Sequence, residues 1–251
     1  MNYQQRLLDR LDAIGAALAA SGKALALLAL GSVGVETNRI DQYSDLDFFV
    51  IVQPNHKQEF IEHLDWMVAG AAPIAFSFQN TNDGCKVLYE DGIYAEFAVF
   101  EPRELEAIPF APSRVVWKSA EFDERLAIPR VRTPYKYSLD WLLGEALTQL
   151  YVGLTRYRRG EKLIAQRLIE YHAVDQIIRL APYIEADQPD LRDPFSPERR
   201  FEQRFPGIAA RLPEFMQGYE KCPESARALL AFLEAHFEVN AALKAKIVEL
   251  I

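Results

Sequence analysis

Cysteine is scarce. Cys85 and Cys222 stand far apart with no Cys-x-x-Cys spacing, which excludes a disulfide framework and a zinc site built on thiolates. The four histidines (His56, His63, His172, His236) form neither His-x3-His nor His-Glu-x-x-His, so the spacing a zinc centre needs is missing as well. No long apolar run exists. The most apolar stretch, Ala24 to Leu30, falls well short of the ~20 residues of a membrane span. It also lacks the terminal position and basic flank of a secretory leader, so a reducing cytoplasm is the expected setting. Positive charge is in short supply: 28 Lys and Arg face 36 Asp and Glu, a formal charge of −8. Nucleic acids and anionic membranes are held through surplus Lys and Arg, so neither is expected as a general partner. A local basic pocket for one small anion stays compatible with that balance. Internal repeats and low-complexity tracts are also lacking.

What is present is an ordinary globular balance, half hydrophobic and a quarter charged over 251 residues, enough for one large domain or two small ones. Leu7, Leu8, Leu11, Ile14 and Leu18 recur at helical spacing and predict a helix over 3–21, ended by Ser21-Gly22. Ala24–Leu30 predicts a buried strand stopped at Gly31-Ser32, and Leu46–Val52 a second strand after a polar loop. Pro54-Asn55 opens a helix carrying Phe60, Ile61, Leu64, Met67 and Val68. Strands are predicted at 74–78, 86–90, 93–100 and 114–118, with Asp91-Gly92 read as a type I′ hairpin turn. From Ser138 onward only helical periods occur, at 138–159, 161–181, 207–219 and 223–248. The expected class is α+β: a mixed sheet with flanking helices over 1–132, followed by an all-α helical bundle over 133–251.

The chemistry gathers in the first half. Gly31-Ser32 ends a strand, and twelve residues later Asp45-Leu46-Asp47 opens the next. Residues two apart on a strand share a face, so Asp45 and Asp47 can hold a hard divalent cation, and Mg²⁺ favours a few carboxylates plus substrate phosphate oxygens. Gly31 permits close backbone approach and Ser32 offers a hydroxyl, both suited to phosphate. Glu96 sits among Tyr94, Ala95, Phe97, Ala98 and Val99, where an acid is costly unless paired or metal-bound. If its strand lies beside 46–52, Glu96 faces the two aspartates as a general base or a further metal ligand. Gly-Ser alone is a common turn, and Asp-x-Asp is common in loops. The ordered set of Gly-Ser, Asp-x-Asp and strand-borne Glu points to a metal-dependent phosphoryl-type site.

Gly31-Ser32, Asp45-Leu46-Asp47 and Glu96 together resemble the nucleotidyltransferase superfamily of the polymerase-β-like fold. Within it the chain is similar to the antibiotic nucleotidyltransferases, above all the lincosamide enzymes and with them the aminoglycoside ones. That closer likeness rests on Asp41-Gln42-Tyr43-Ser44-Asp45, Glu96-Phe97, Phe100-Glu101-Pro102, Arg159-Gly160-Glu161 and the run Phe195 to Glu202. The resemblance implies nucleotide-phosphate contact at Gly31 and Ser32, two Mg²⁺ ions on Asp45 and Asp47, with Glu96 as base or added ligand. It also implies an NTP, ATP foremost, as co-substrate, a small hydroxyl-bearing acceptor, and a homodimer. Relatives often carry an arginine just after the Gly-Ser. Here Val33-Gly34-Val35-Glu36 intervenes and Arg39 is the first basic residue, so Arg39 reaches back or the triphosphate is held otherwise.

In the helical half, Asp140, Glu145, Tyr151 and Tyr157 suit a cationic, partly apolar acceptor, or form a solvated helix face. Arg156, Arg158 and Arg159 could receive pyrophosphate or favour a helix dipole, and Arg199, Arg200 and Arg204 form a second basic group. The alternative function of a different class is a regulatory, toxin–antitoxin-type nucleotidyltransferase that modifies a protein. Arg167-x4-His172 is similar to the motif of HEPN ribonucleases, against an expectation that His172 packs or hydrogen-bonds between helices.

Overall fold

The computed structural model describes residues 2–68, 72–129, 136–193 and 195–251. The chain divides into two compact units, Met1–Thr133 and Pro134–Ile251. The boundary expected at 132–133 lies outside the described residues.

In the first unit helix α1 (Tyr3–Ser21) starts at Asn2, whose side chain accepts from the Gln5 N–H, and ends on Gly22 at φ +65°. Both caps satisfy backbone groups that helix ends leave open. Strand β1 (Ala24–Leu30) is apolar throughout because both of its faces are buried. Strand β2 (Leu46–Val52) follows. The helix expected from residue 54 is two short pieces, α2 (Lys57–Glu62) and α3 (Asp65–Val68). The chain is extended at His63, and the Trp66 indole N–H bonds to the Phe60 carbonyl. Strands β3 (Ile74–Gln79), β4 (Gly84–Tyr89) and β5 (Tyr94–Phe100), helix α4 (Pro102–Leu105) and strand β6 (Arg114–Lys118) complete the unit.

Among the described residues six strands form one mixed sheet in the order β3-β4-β5-β2-β1-β6, in which β2 and β5 run parallel and the other pairs antiparallel. Alternate residues feed two cores. Leu46, Phe48 and Val50 of β2 pack with Ala95, Phe97 and Val99 of β5 under α1. Ile51 and Phe100 join Leu28, Leu105, Phe110 and Phe122 on the opposite face. The β4–β5 turn differs from the expected type I′. Only Gly92 takes a positive φ (+85°), and the Tyr89 N–H bonds to the Ile93 carbonyl. The loop thus holds Glu90, Asp91 and Gly92, one residue more than a two-residue turn.

The second unit is all-helical. Helix α5 (Leu139–Arg158), capped by Ser138, buries Leu142, Ala146, Leu147, Leu150 and Leu154. Helix α6 (Lys162–Gln166) runs through a π-helical segment, Arg167–Ala173, into α7 (Val174–Leu180). The predicted helix 207–219 is instead α9 (Pro206–Ala209) and α10 (Leu212–Phe215), preceded by α8 (Phe201–Arg204). The predicted helix 223–248 splits into α11 (Cys222–His236) and α12 (Ala241–Leu250). Phe237 is extended, and Asn240 caps the new start by accepting from Leu243 N–H. Among the described residues no helix is long and apolar enough to cross a membrane. The chain is thus an α+β protein, with helices flanking the mixed sheet and a helical unit following it.

Candidate active site

Strand register builds the site. Leu30 pairs with Asp47 across β1–β2, and Asp47 with Glu96 across β2–β5. Glu96 pairs with Lys86 across β5–β4, and Lys86 with Phe78 across β4–β3. Directly paired residues share a face, so Asp47, Glu96, Lys86 and Phe78 form one row. Their strand neighbours Leu46, Ala95, Phe97, Cys85 and Val87 point the other way, into the core under α1.

Glu96 can occupy a central strand because its carboxylate stays partly solvated and Lys86 Nζ lies 3.1 Å from its Oε2. The Lys86 ammonium is held above its usual pKa, first by that hydrogen bond and then by the charge of Glu96. Lys86 is a site residue that the sequence motif did not reveal.

Gly31 begins a 3₁₀ turn, Gly31–Val33, at the end of β1 with φ +55°. A Cβ there would stand 2.7 Å from Asp47 Oδ2. Glycine is therefore required twice over, by its backbone angle and by the carboxylate packed against it. Val33 anchors the turn by full burial. Ser32 is half-buried beside it, and among the described residues its hydroxyl takes no hydrogen-bond partner.

Asp45 is set by the turn before it. The Asp41 carboxylate accepts from Tyr43 N–H and Ser44 Oγ, while Ser44 Oγ accepts from Asp41 N–H. The Tyr3 hydroxyl at the start of α1 donates to the Ser44 carbonyl at 3.0 Å. The Tyr3 phenol is raised above its normal pKa mainly by burial, opposed by Arg6 and reinforced by the Asp45 charge.

Arg39 lies in its own short turn, Thr37–Arg39, and ion-pairs with Glu36. A different arginine grips the Gly-Ser loop. Arg114, at the start of β6, donates from Nη2 to the Val33 carbonyl at 3.0 Å and from Nε to the Gly34 carbonyl at 3.2 Å. Motif reading could not find it, because it comes from a strand paired to β1 at Ala29 and far along the chain.

The donor types suit a hard divalent cation: two carboxylates two residues apart, Asp45 just before β2 and Asp47 on it. Among the described residues no three or more His, Cys, Asp or Glu side chains converge on a common metal point. Glu96 is turned to Lys86 instead.

Several of the candidates in the helical unit have structural partners. Arg156 pairs with Glu161 at 3.1 Å, and Arg158 donates to the Leu250 carbonyl at the end of α12. Arg199 pairs with Asp193, and buried Arg204 with Asp187 at 2.9 Å. The Tyr157 hydroxyl donates to the Glu220 carbonyl. Tyr151 lies partly buried against the helical core. Asp140 is exposed, and Glu145 accepts from Gln149. Arg167 and His172 are both exposed, so His172 is not packed between helices.

No protein-family model and no curated protein sequence matches the chain. Among solved structures, an aminoglycoside 6-adenyltransferase from Bacillus subtilis aligns at 14% identity and TM-score 0.35, covering 100% of this chain and 92% of that one. A nucleotidyltransferase-like protein from Exiguobacterium sibiricum aligns at 12% identity and TM-score 0.28, covering 97% and 86%. A STING-associated c-di-GMP synthase from Capnocytophaga granulosa aligns at 11% identity and TM-score 0.30, covering 98% and 78%. At such scores the overlaps are loose.

Proposed function

We propose that the protein is a Mg²⁺-dependent nucleotidyltransferase that moves a nucleoside monophosphate from an NTP, ATP foremost, to a hydroxyl of a small molecule. The observation that carries this reading is the parallel β2–β5 register, which sets Asp47 opposite Glu96 while Gly31 backs the Asp47 carboxylate. A lincosamide- or aminoglycoside-like antibiotic is the acceptor class suggested by the sequence likeness. A cytoplasmic homodimer is the assembly suggested with it.

Asp45 and Asp47 would hold the Mg²⁺, which when bound offsets the charge on the NTP phosphate oxygens. Ser32 and the Gly31–Val33 backbone offer donors to those phosphates at the end of β1. Glu96 accepts the proton of the acceptor hydroxyl as that oxygen attacks the α-phosphorus. The bond from the α-phosphorus to its bridging oxygen breaks, and pyrophosphate departs with both bonding electrons. Lys86, resting on Glu96, keeps the carboxylate directed along the row.

Incubation with Mg²⁺, each NTP and a panel of hydroxylated antibiotics, read by mass spectrometry, tests the proposal. One acceptor gaining the mass of one nucleotide supports it. Asp47→Ala should abolish pyrophosphate release while circular dichroism stays native, and an undiminished rate would overturn the assignment. Glu96→Gln should still bind ATP but fail to transfer.

A further inference from the structure

Strand β4 is covered on one face only, and β3, at the edge of the sheet, is exposed along most of its length. Val87, Cys85 and Tyr89 of β4 point into the core under α1. The opposite face presents Phe78 at 55% exposure, Phe76 at 56% and Leu88 at 38%. Strand register makes this patch continuous with the reactive row. Phe78 pairs with Lys86 and Lys86 with Glu96, while Phe76 pairs with Leu88 and Leu88 with Tyr94. Large apolar side chains exposed together on one sheet face are unusual, and such patches mark binding surfaces.

Direction along the row decides the occupant. In phosphoryl transfer the attacking and leaving oxygens lie roughly in line through phosphorus. The Gly31–Val33 turn, which would take the leaving phosphates, lies on the β1 side of Asp47. The attacking hydroxyl therefore arrives from the other side, past Glu96, over β4 and β3. Two strand spacings, ~10 Å, separate Glu96 from Phe78, a reach that a drug-sized molecule spans. Strands β3 and β4 carry no carboxylate that would receive a polycation, and Lys86, midway, is already paired with Glu96 at 3.1 Å.

On the reading of this site as a nucleotidyltransferase, we infer that the acceptor lies on the β3–β4 face with an apolar ring or chain against Phe76, Phe78 and Leu88. Its hydroxyl points to Glu96, and the part over Lys86 is neutral or anionic. The acceptor class is thus an amphiphilic hydroxyl compound rather than a polyamine.

Ligand-observed saturation-transfer NMR tests this on the full chain with Mg²⁺ and α,β-methylene-ATP bound. The probes are 2-naphthyl β-D-glucoside, methyl β-D-glucoside and the polycation kanamycin. Wild type should saturate the naphthyl protons and give no signal from the methyl glucoside or kanamycin. Phe76→Ser/Phe78→Ser should weaken the aryl probe at least tenfold, and Phe78→Trp should retain it. The affinity for the nucleotide analogue and the melting temperature should hold in both variants. An aryl signal that is missing in wild type, or unchanged in the double variant, overturns the inference, as does equal binding of kanamycin. A wild-type dimer that the double variant dissolves also overturns it, by making the face a subunit contact. Failure of wild type to bind the nucleotide analogue overturns the parent reading itself, and this inference with it.

Discussion

At the scale of single residues, Gly31 and Asp91 show how position fixes chemistry. Gly31→Ala forces a side chain into a left-handed backbone, at about 1–2 kcal/mol, and drives its Cβ into Asp47. We expect a lower melting temperature together with loss of nearly all pyrophosphate release. An active Gly31→Ala would show that Asp47 need not stay where it is. Asp91 ties the β4–β5 loop to α1 through Arg6 at 3.0 Å and buried Arg10 at 2.9 Å. Burial pushes the Asp91 carboxyl up, but bonds from Arg6 and the Ile93 N–H, with the Arg10 charge, bring it below its ordinary pKa. A carboxylate with a depressed folded pKa contributes stability above its unfolded pKa and loses it as pH falls through the folded one. Stability should therefore hold above about pH 4 and fall in more acidic solution. Urea melts of Asp91→Asn across that range should show a shallower acid slope than wild type. At neutral pH, Asp91→Ala should cost about 1–3 kcal/mol, because buried Arg10 loses its carboxylate partner.

At the scale of elements, the Gly-Ser turn depends on a strand that is not its chain neighbour. Arg114 of β6 holds the Val33 and Gly34 carbonyls. Arg114→Met should loosen the turn, and a loss of about 1.4 kcal/mol in nucleotide binding is a tenfold weaker Kd. If Arg114 acts through the turn, Ser32→Ala combined with Arg114→Met should weaken ATP binding by less than the product of the single effects. Multiplicative effects in calorimetric titrations would reject that coupling. In the helical unit, a Cβ on Gly153 of α5 would meet Ile169 Cγ1 at 2.5 Å, so Gly153→Ala should destabilise by about 1–3 kcal/mol.

Much of this was legible in the sequence, and Lys86 and Arg114 were hidden in it for related reasons. Strand composition gave β1, β2 and β5, because a strand buried on one face and at least half-buried on the other reads as a nearly continuous apolar run. Gly31, Ser32, Asp45, Asp47 and Glu96 stood out because acids and a Gly-Ser beside such runs break the pattern. Lys86 did not, since its link to Glu96 depends on loop length. A two-residue turn at Asp91-Gly92 would set Val87 opposite Glu96, and the observed loop sets Lys86 there. One residue of slip exchanges the faces of a strand. Arg114 was hidden for a related reason: strand order is a long-range property that local patterns do not encode. Helix ends failed where one side chain decides them, as at Asn240.

At the scale of the whole molecule, the charge of −8 bears on how nucleotide arrives. On the proposed function Asp45, Asp47 and Glu96 would face an anionic substrate, and bound Mg²⁺ would have to offset them. ATP titrations should show weak binding in EDTA and at least a tenfold gain when Mg²⁺ is restored. Equal affinity in both conditions would mean that the carboxylates do not face the phosphates.

The parallel pairing of β2 with β5 also has a consequence in time. Parallel neighbours cannot be joined by a tight turn, and here α2, α3, β3 and β4 intervene between Asp47 and Glu96. The two acids meet only after that whole excursion has closed, a contact of high sequence separation that is slow to form. Helical signal from Pro134–Ile251, built on local contacts, should return early in refolding, with pyrophosphate-releasing activity trailing behind it. The acid pair is then a clock for the last stage of sheet assembly, read by following ellipticity and activity in the same refolding experiment.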